Sequence, residues 1–244
     1  MYWKARFGRC IYNKDNVYVF QNWLYRWLTF ESMTIQTLIH RKHPERIELN
    51  YIDAIILAAR YQPGKMCILG LGGAGIVHAL APFSQNTACL VIEHNPTVID
   101  VAHQYFFLKQ CDFLTIQEND AYAYLEANTT TFDHLLIDIF NATTFPEHCN
   151  TPAFVELCQK NLTPDGVLAV NFANITQQTK LLQYLKQYFP HRIVLISLPK
   201  TTNIVALCFN KAGLQPFITK ISFSKRLKSL SWQPAWGYVA CFSY

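Results

Sequence analysis

The run Cys67-Ile-Leu-Gly70-Leu-Gly72-Gly73-Ala-Gly75-Ile carries the spacing G-x-G-x-x-G, directly after an apolar stretch and at the start of a helical one. Glycine suits a strand-to-helix turn because a side chain would crowd the turn and keep a ligand off the backbone. Gly70, Gly72 and Gly75 are therefore candidates for cradling a nucleotide or nucleoside. The next apolar stretch ends at Val91-Ile-Glu93. An acid there suits hydrogen bonding to ribose hydroxyls, and a dinucleotide would satisfy both features. Glu118-Asn119-Asp120-Ala121 follows the next stretch, where a carboxylate can accept from an adenine amino group, and this favours an adenine nucleoside. Leu135-Leu-Ile-Asp138 ends the stretch after that. Ligands of open α/β sheets bind beyond the carboxyl ends of the strands. Taken singly, each acid also fits a helix N-cap or a solvated loop end. Their recurrence at successive strand ends is what selects a site.

Those positions demand a sheet whose strands run in parallel. Strand-like stretches at 66–70, 88–92, 113–116, 135–139 and 167–172 alternate with helical ones at 75–80, 96–107, 121–127, 152–161 and 177–188. Short apolar strands separated by amphipathic helices imply a sheet covered on both faces, and right-handed crossovers make it doubly wound. Two further strands, 191–198 and 203–209, are joined by Pro199-Lys-Thr-Thr and read as a closing antiparallel hairpin. The tail after Asn210 is ambiguous. Ahead of the sheet, Cys10-Ile-Tyr, Val17-Tyr-Val-Phe, Leu24 to Phe30 and Met33 to Ile39 are β-type runs parted by polar breaks, the pattern of hairpins. A helix over 50–61, stopped by Gln62-Pro63-Gly64, connects the two parts. The expected division is a β-rich unit over 1–48 and a Rossmann-like nucleoside-binding domain over 49–244.

Composition narrows the classes. With 244 residues, 51% hydrophobic and 15% charged, the chain can bury a large core, which excludes a disordered protein. No apolar run reaches the roughly 18 residues of a membrane span. The start, Met1-Tyr-Trp-Lys-Ala-Arg, lacks the layout of a secretion signal, so a cytoplasmic location is expected. The eight cysteines include no C-x-x-C pair and read as buried reduced thiols, with no metal site implied. Net charge is +5, concentrated at His40-Arg41-Lys42-His43 and from Lys220 to Lys228. These read as a solvated loop and a basic helix, since nucleic-acid binding needs a denser stripe.

The ordered set Arg26-Trp-Leu-Thr-Phe-Glu, Gln36-Thr, Leu49-Asn-Tyr51, Ile68-Leu-Gly-Leu-Gly-Gly, Val91-Ile-Glu-His-Asn-Pro, Asn119-Asp-Ala and Leu136-Ile-Asp138 resembles the spermidine/spermine synthase family, in its spermidine-synthase-like branch. The likeness runs from about residue 15 to about 210. It implies a class I methyltransferase-like fold with a β-rich front that commonly forms homodimers. It further implies aminopropyl transfer from decarboxylated S-adenosylmethionine to a small polyamine-type amine, without a metal. Carried across by position, Gln36 would touch that co-substrate, Glu93 would hold the ribose, and Asp120 with Ala121 the adenine. Asp138 matches the family's general base, Tyr51 an amine-side tyrosine, and Asn141 the position of a second amine-side acid.

The matches come with departures. The family's G-G-G-D-G-G has an aspartate where this chain has Gly73, and the second acid of its D-S-S-D is Asn141. Ammonium groups need paired charge when buried, so these losses weaken the amine site. Losing the loop aspartate also removes a repulsion against the carboxylate of intact S-adenosylmethionine. Methyl transfer from S-adenosylmethionine, or non-catalytic binding of a nucleoside such as methylthioadenosine, therefore stand as alternative readings.

Overall fold

The computed structural model describes residues 3–31, 34–83, 87–139, 144–224 and 226–243. Strands β1 (Arg9–Lys14), β2 (Val17–Gln21), β3 (Tyr25–Phe30) and β4 (Ile35–His40) form an antiparallel sheet in sequence order. Asp15 and Asn16, at φ 51° and 60°, make the two-residue turn between β1 and β2, a geometry whose twist suits a hairpin. Met33, where sequence reading begins the fourth strand, lies outside the described residues. Val17, Val19, Trp27, Leu28 and Leu38 are buried and share one hydrophobic core with the helices behind them.

Those helices begin with α1 (Asn50–Ile55) and α2 (Leu57–Tyr61). The single helix expected here is interrupted at Ile56, which leaves helical geometry at ψ 3°. The sheet proper uses β5 (Met66–Leu69), β6 (Cys89–Glu93), β7 (Leu114–Glu118), β8 (Phe132–Ile137) and β9 (Leu162–Phe172). They lie in the order β9-β8-β5-β6-β7, all parallel. One face is covered by α3 (Gly75–Leu80) and α4 (Pro96–Tyr105), together with α1 and the front sheet. The other is covered by α5 (Ala121–Ala127), α6 (Pro152–Lys160) and α7 (Thr179–Tyr188). This is the doubly wound α/β arrangement that the alternating pattern requires.

The carboxyl-terminal part departs from expectation. Strands β10 (Ile193–Ser197) and β11 (Ile204–Phe209) do form an antiparallel hairpin, with β11 against β9. The hairpin does not close the sheet. The tail folds as α8 (Leu214–Ser222), β12 (Leu227–Gln233) and β13 (Gly237–Phe242), and β13 pairs in parallel with β10. Among the described residues, the basic stretch is therefore helix end, turn and strand rather than one helix. The exposed β12 lacks the apolar alternation that would have revealed it. Arg226 ties this tail to α1 through both carboxylate oxygens of Asp53, at 2.9 and 2.8 Å, and Arg60 pairs with the same carboxylate.

One contact joins the front sheet to the glycine turn. Thr37, buried on β4, accepts the Gly73 N–H on its Oγ1 at 2.8 Å. Beside it, Arg26 of β3 donates to the Tyr105 carbonyl at the end of α4. Thr37→Val keeps the volume but leaves a buried N–H unsatisfied, at a cost of about 1–3 kcal/mol. Chemical denaturation should show that loss; an unchanged midpoint would mean the turn needs no support from β4.

Candidate active site

The carboxyl ends of the central strands and the front sheet enclose one cleft of about 1280 Å³. Gly70, Gly72 and Gly75 line it, as do Glu93, Asp120 and Ala121. So do Gln36 from β4, Tyr51 from α1 and Asp138 just beyond β8. Asn141 lies outside the described residues. Every other site residue expected from sequence is thus on the wall of one cavity, although they span much of the chain.

The glycine turn is explained by the protein's own packing. Gly70 has φ 97°, and a Cβ there would stand 2.5 Å from the Asp138 carbonyl oxygen. The close approach of the segments that follow the paired strands β5 and β8 requires glycine at that point. Gly72, at φ 50°, packs against Thr37. At Gly73 a Cβ would meet the Phe106 ring at 2.8 Å and the Thr37 methyl at 2.9 Å. An aspartate could enter here only if those side chains moved.

Glu93 is buried and clasps the turn. Its Oε2 accepts the Leu71 N–H at 2.9 Å, and its Oε1 accepts the Asn95 N–H at 2.9 Å with His94 Nδ1 at 3.2 Å. Burial alone would raise its pKa, but the hydrogen bonds from His94, Leu71 and Asn95 hold it below the ordinary value. A carboxylate has about four lone-pair positions, so capacity remains for a ligand in the cleft.

Asp120 has a local job as well. Its Oδ1 caps α5 by accepting from the Tyr122 and Ala123 N–H groups at 2.9 and 3.0 Å. Its Oδ2 lies 2.9 Å from His148 Nε2. Burial pushes its pKa up, and the Ala123 N–H, His148 and the Tyr122 N–H outweigh that, so it too lies below the ordinary carboxylate value. His148 was not foreseen; it is a lone histidine in the short 3-10 turn Glu147–Cys149, and only the chain path brings it to Asp120.

Asp138 is the opposite case. Its Oδ2 accepts from the Tyr51 hydroxyl and its Oδ1 from Asn171 Nδ2, each at 2.8 Å. Burial raises its pKa above 3.8 despite the lowering effect of the Asn171 and Tyr51 hydrogen bonds. Asn171 is 3% exposed and in turn accepts from Asn203 Nδ2 at 2.9 Å. Neither asparagine was foreseen. The signal for Asn171 was a polar residue ending the apolar run Val167–Val170, at a strand end like the acids. Among the described residues, no helix is long and apolar enough to cross a membrane, and no three His, Cys, Asp or Glu side chains group as a metal site.

A doubly wound sheet with an antiparallel β11 beside β9, and acids at its strand ends, defines the methyltransferase-like class of Rossmann folds. Human methyltransferase-like protein 13, solved with SAH, has this fold at TM-score 0.58 and 20% identity, over 66% of this chain and 82% of that one. A spermidine synthase solved with the transition state analogue AdoDATO matches more fully. Its TM-score is 0.69 at 20% identity, over 90% of this chain and 81% of that one. In sequence, a polyamine aminopropyltransferase of Chromobacterium violaceum is 27% identical over 193 residues, covering 77% of this chain and 73% of the relative. The family model for the spermine/spermidine synthase domain matches residues 45–206. The chain belongs to the spermine/spermidine synthase family, a family of transferases.

The Asp138 environment makes a prediction about stability. A carboxyl whose folded pKa exceeds its unfolded one binds protons more tightly when folded, so its ionisation opposes folding. The penalty is absent below pH 3.8 and complete once pH passes the raised folded value. Asp138→Asn should therefore raise the thermal midpoint near neutral pH, with the gain shrinking as pH is lowered toward 3.8. A midpoint lowered at neutral pH would show that the hydrogen bonds outweigh burial.

Proposed function

We propose that the protein transfers an aminopropyl group from decarboxylated S-adenosylmethionine to a small amine, with Asp138 as general base. The observation that carries this is the carboxylate of Asp138, held by Tyr51 and Asn171 directly beside the Gly70 turn. An alkylammonium has a pKa of about 10, as a lysine does, so the acceptor arrives protonated and cannot attack carbon. A carboxylate with a raised pKa, fixed in orientation by two donors, is suited to take that proton. The freed nitrogen lone pair forms the new bond to the carbon attached to the sulfonium. The carbon–sulfur bond breaks, its electron pair returns to sulfur, and methylthioadenosine leaves. Alignment of nitrogen, carbon and sulfur supplies the larger part of catalysis, up to about 7–11 kcal/mol.

In this reading Glu93 holds the ribose with its remaining lone pairs, Asp120 and Ala121 meet the adenine, and Gln36 closes the cavity from the front sheet. Tyr51 serves the base by donating to it. His148 shares Oδ2 of Asp120, so it orients the acceptor offered to the adenine amino group. The front sheet is also the proposed surface of a homodimer.

A second reading, methyl transfer from S-adenosylmethionine, is favoured by one observation. Gly73 and its packing against Phe106 and Thr37 leave the turn without an acid to repel a donor carboxylate.

Thermal shifts with decarboxylated S-adenosylmethionine, S-adenosylmethionine and methylthioadenosine test the two. Stabilisation greatest with the decarboxylated donor supports aminopropyl transfer; preference for the carboxylated form supports methyl transfer. No shift with any of the three points to a non-catalytic member. Asp138→Asn should lower turnover about 10²–10⁴-fold with donor affinity little changed. Glu93→Gln, which keeps one carbonyl acceptor, should weaken donor binding at least about tenfold through loss of charge-assisted bonds. Full turnover in Asp138→Asn would remove it from the mechanism.

A further inference from the structure

The sheet order separates two ends of the cleft. Glu93 ends β6 and Asp120 follows β7, on one side of β5. Asp138 follows β8, Asn171 belongs to β9 and Asn203 precedes β11, on the other side. On this second side the described wall beyond Asp138 includes Asn171, Asn174, Thr202 and Asn203. These are amides and a hydroxyl.

Their hydrogen bonds run one way. Thr201 Oγ1 donates to Asn203 Oδ1 at 2.6 Å, Asn203 Nδ2 to Asn171 Oδ1 at 2.9 Å, and Asn171 Nδ2 to Asp138 Oδ1 at 2.8 Å. A carboxamide has two N–H donors and two acceptor lone pairs. One donor and one acceptor of Asn171 and of Asn203 are accounted for by this relay, which leaves each able to offer one more of either kind.

The other acids on the cleft wall sit on other elements. Glu93 and Asp120 hold backbone N–H groups on the β6–β7 side. Asp15 sits on an exposed turn and accepts from Thr97 of α4. Glu31 is exposed on the turn after β3. Among the described residues, Asp138 is thus the carboxylate of the β8–β9–β11 side. A diamine would bring a second ammonium to a wall of neutral dipoles, and desolvating a cation without a partner charge is costly.

We infer that the acceptor is a small amine with one cationic nitrogen, the reacting one, and an uncharged tail that hydrogen-bonds, such as an amino alcohol or an amino amide. The inference rests on the aminopropyl-transfer reading. Asp138 takes the reacting end, and the amide wall takes the hydroxyl or carboxamide. Specificity then comes from a site that must fill its polar groups, which rejects a tail lacking them more strongly than one of the wrong length.

Initial rates with decarboxylated S-adenosylmethionine should be compared for putrescine, the amino alcohol of the same chain length, and butylamine. The expected result is kcat/KM for the amino alcohol at least about tenfold above both others. Asn174→Asp keeps an acceptor for the Gln177 N–H and adds charge at an exposed position. It should move the ratio toward putrescine at least about threefold, the direction expected when a cation gains a partner charge at a solvent-exposed position. Putrescine equal or better in the wild type overturns the inference and leaves aminopropyl transfer standing. Butylamine matching the amino alcohol overturns the role of the amide wall. Release of methylthioadenosine with none of the amines, while the donor still binds, overturns the transfer reading and the inference together.

Discussion

The carboxylate of Asp138 is where the parts of this protein meet. Tyr51 reaches it from α1 and Asn171 from β9, while its own backbone carbonyl crowds Gly70 at the end of β5. Burying a charge is unfavourable unless its lone pairs are satisfied. The fold meets that demand with a neutral hydroxyl and a neutral amide rather than with a cation. The result is a carboxylate that is fixed in place yet basic for its type. A lysine or arginine in the same position would have fixed it equally well and lowered its pKa.

The support of that carboxylate reaches further than one shell. Asn171 is oriented by Asn203, and Asn203 by Thr201 in the β10–β11 connection. This continuity depends on β11 running antiparallel against β9, with Val205 opposite Asn171 and Ile204 opposite Phe172. A parallel strand in that place would bring its opposite end to the cleft. The tail strands extend the same sheet on its far side, and Asp53 pins them to α1 through Arg226. The helix that presents Tyr51 is thereby tied to the last part of the chain.

The front sheet works differently. It closes the cleft by packing and by Thr37, which supplies the acceptor for the Gly73 N–H. The glycine turn is thus held on one side by β4 and on the other by Glu93. Its shape is accounted for by these internal partners, because the missing side chains make room for the Asp138 carbonyl, Phe106 and Thr37.

Much of this was written locally. The alternation of apolar stretches and amphipathic runs determines the five parallel strands and their helices, since each strand must bury both faces. The glycine turn and the acids at strand ends are equally local, because a strand end is a position the sequence itself marks. The resemblance carried Gln36 and Tyr51, which no spacing would have singled out. Tertiary structure alone decided the rest. Asn171, Asn203 and His148 are ordinary polar residues in sequence, and they acquire partners only because β9, the start of β11 and the 3-10 turn before α6 arrive beside Asp138 and Asp120. The placement of β12 and β13 was hidden for a related reason: an edge strand with one solvated face has little apolar pattern to read. Asp138 shows the division most clearly. The sequence determined that an acid ends β8, and the folded surroundings decided that its pKa rises while those of Glu93 and Asp120 fall, because burial and hydrogen bonding are properties of neighbours in space.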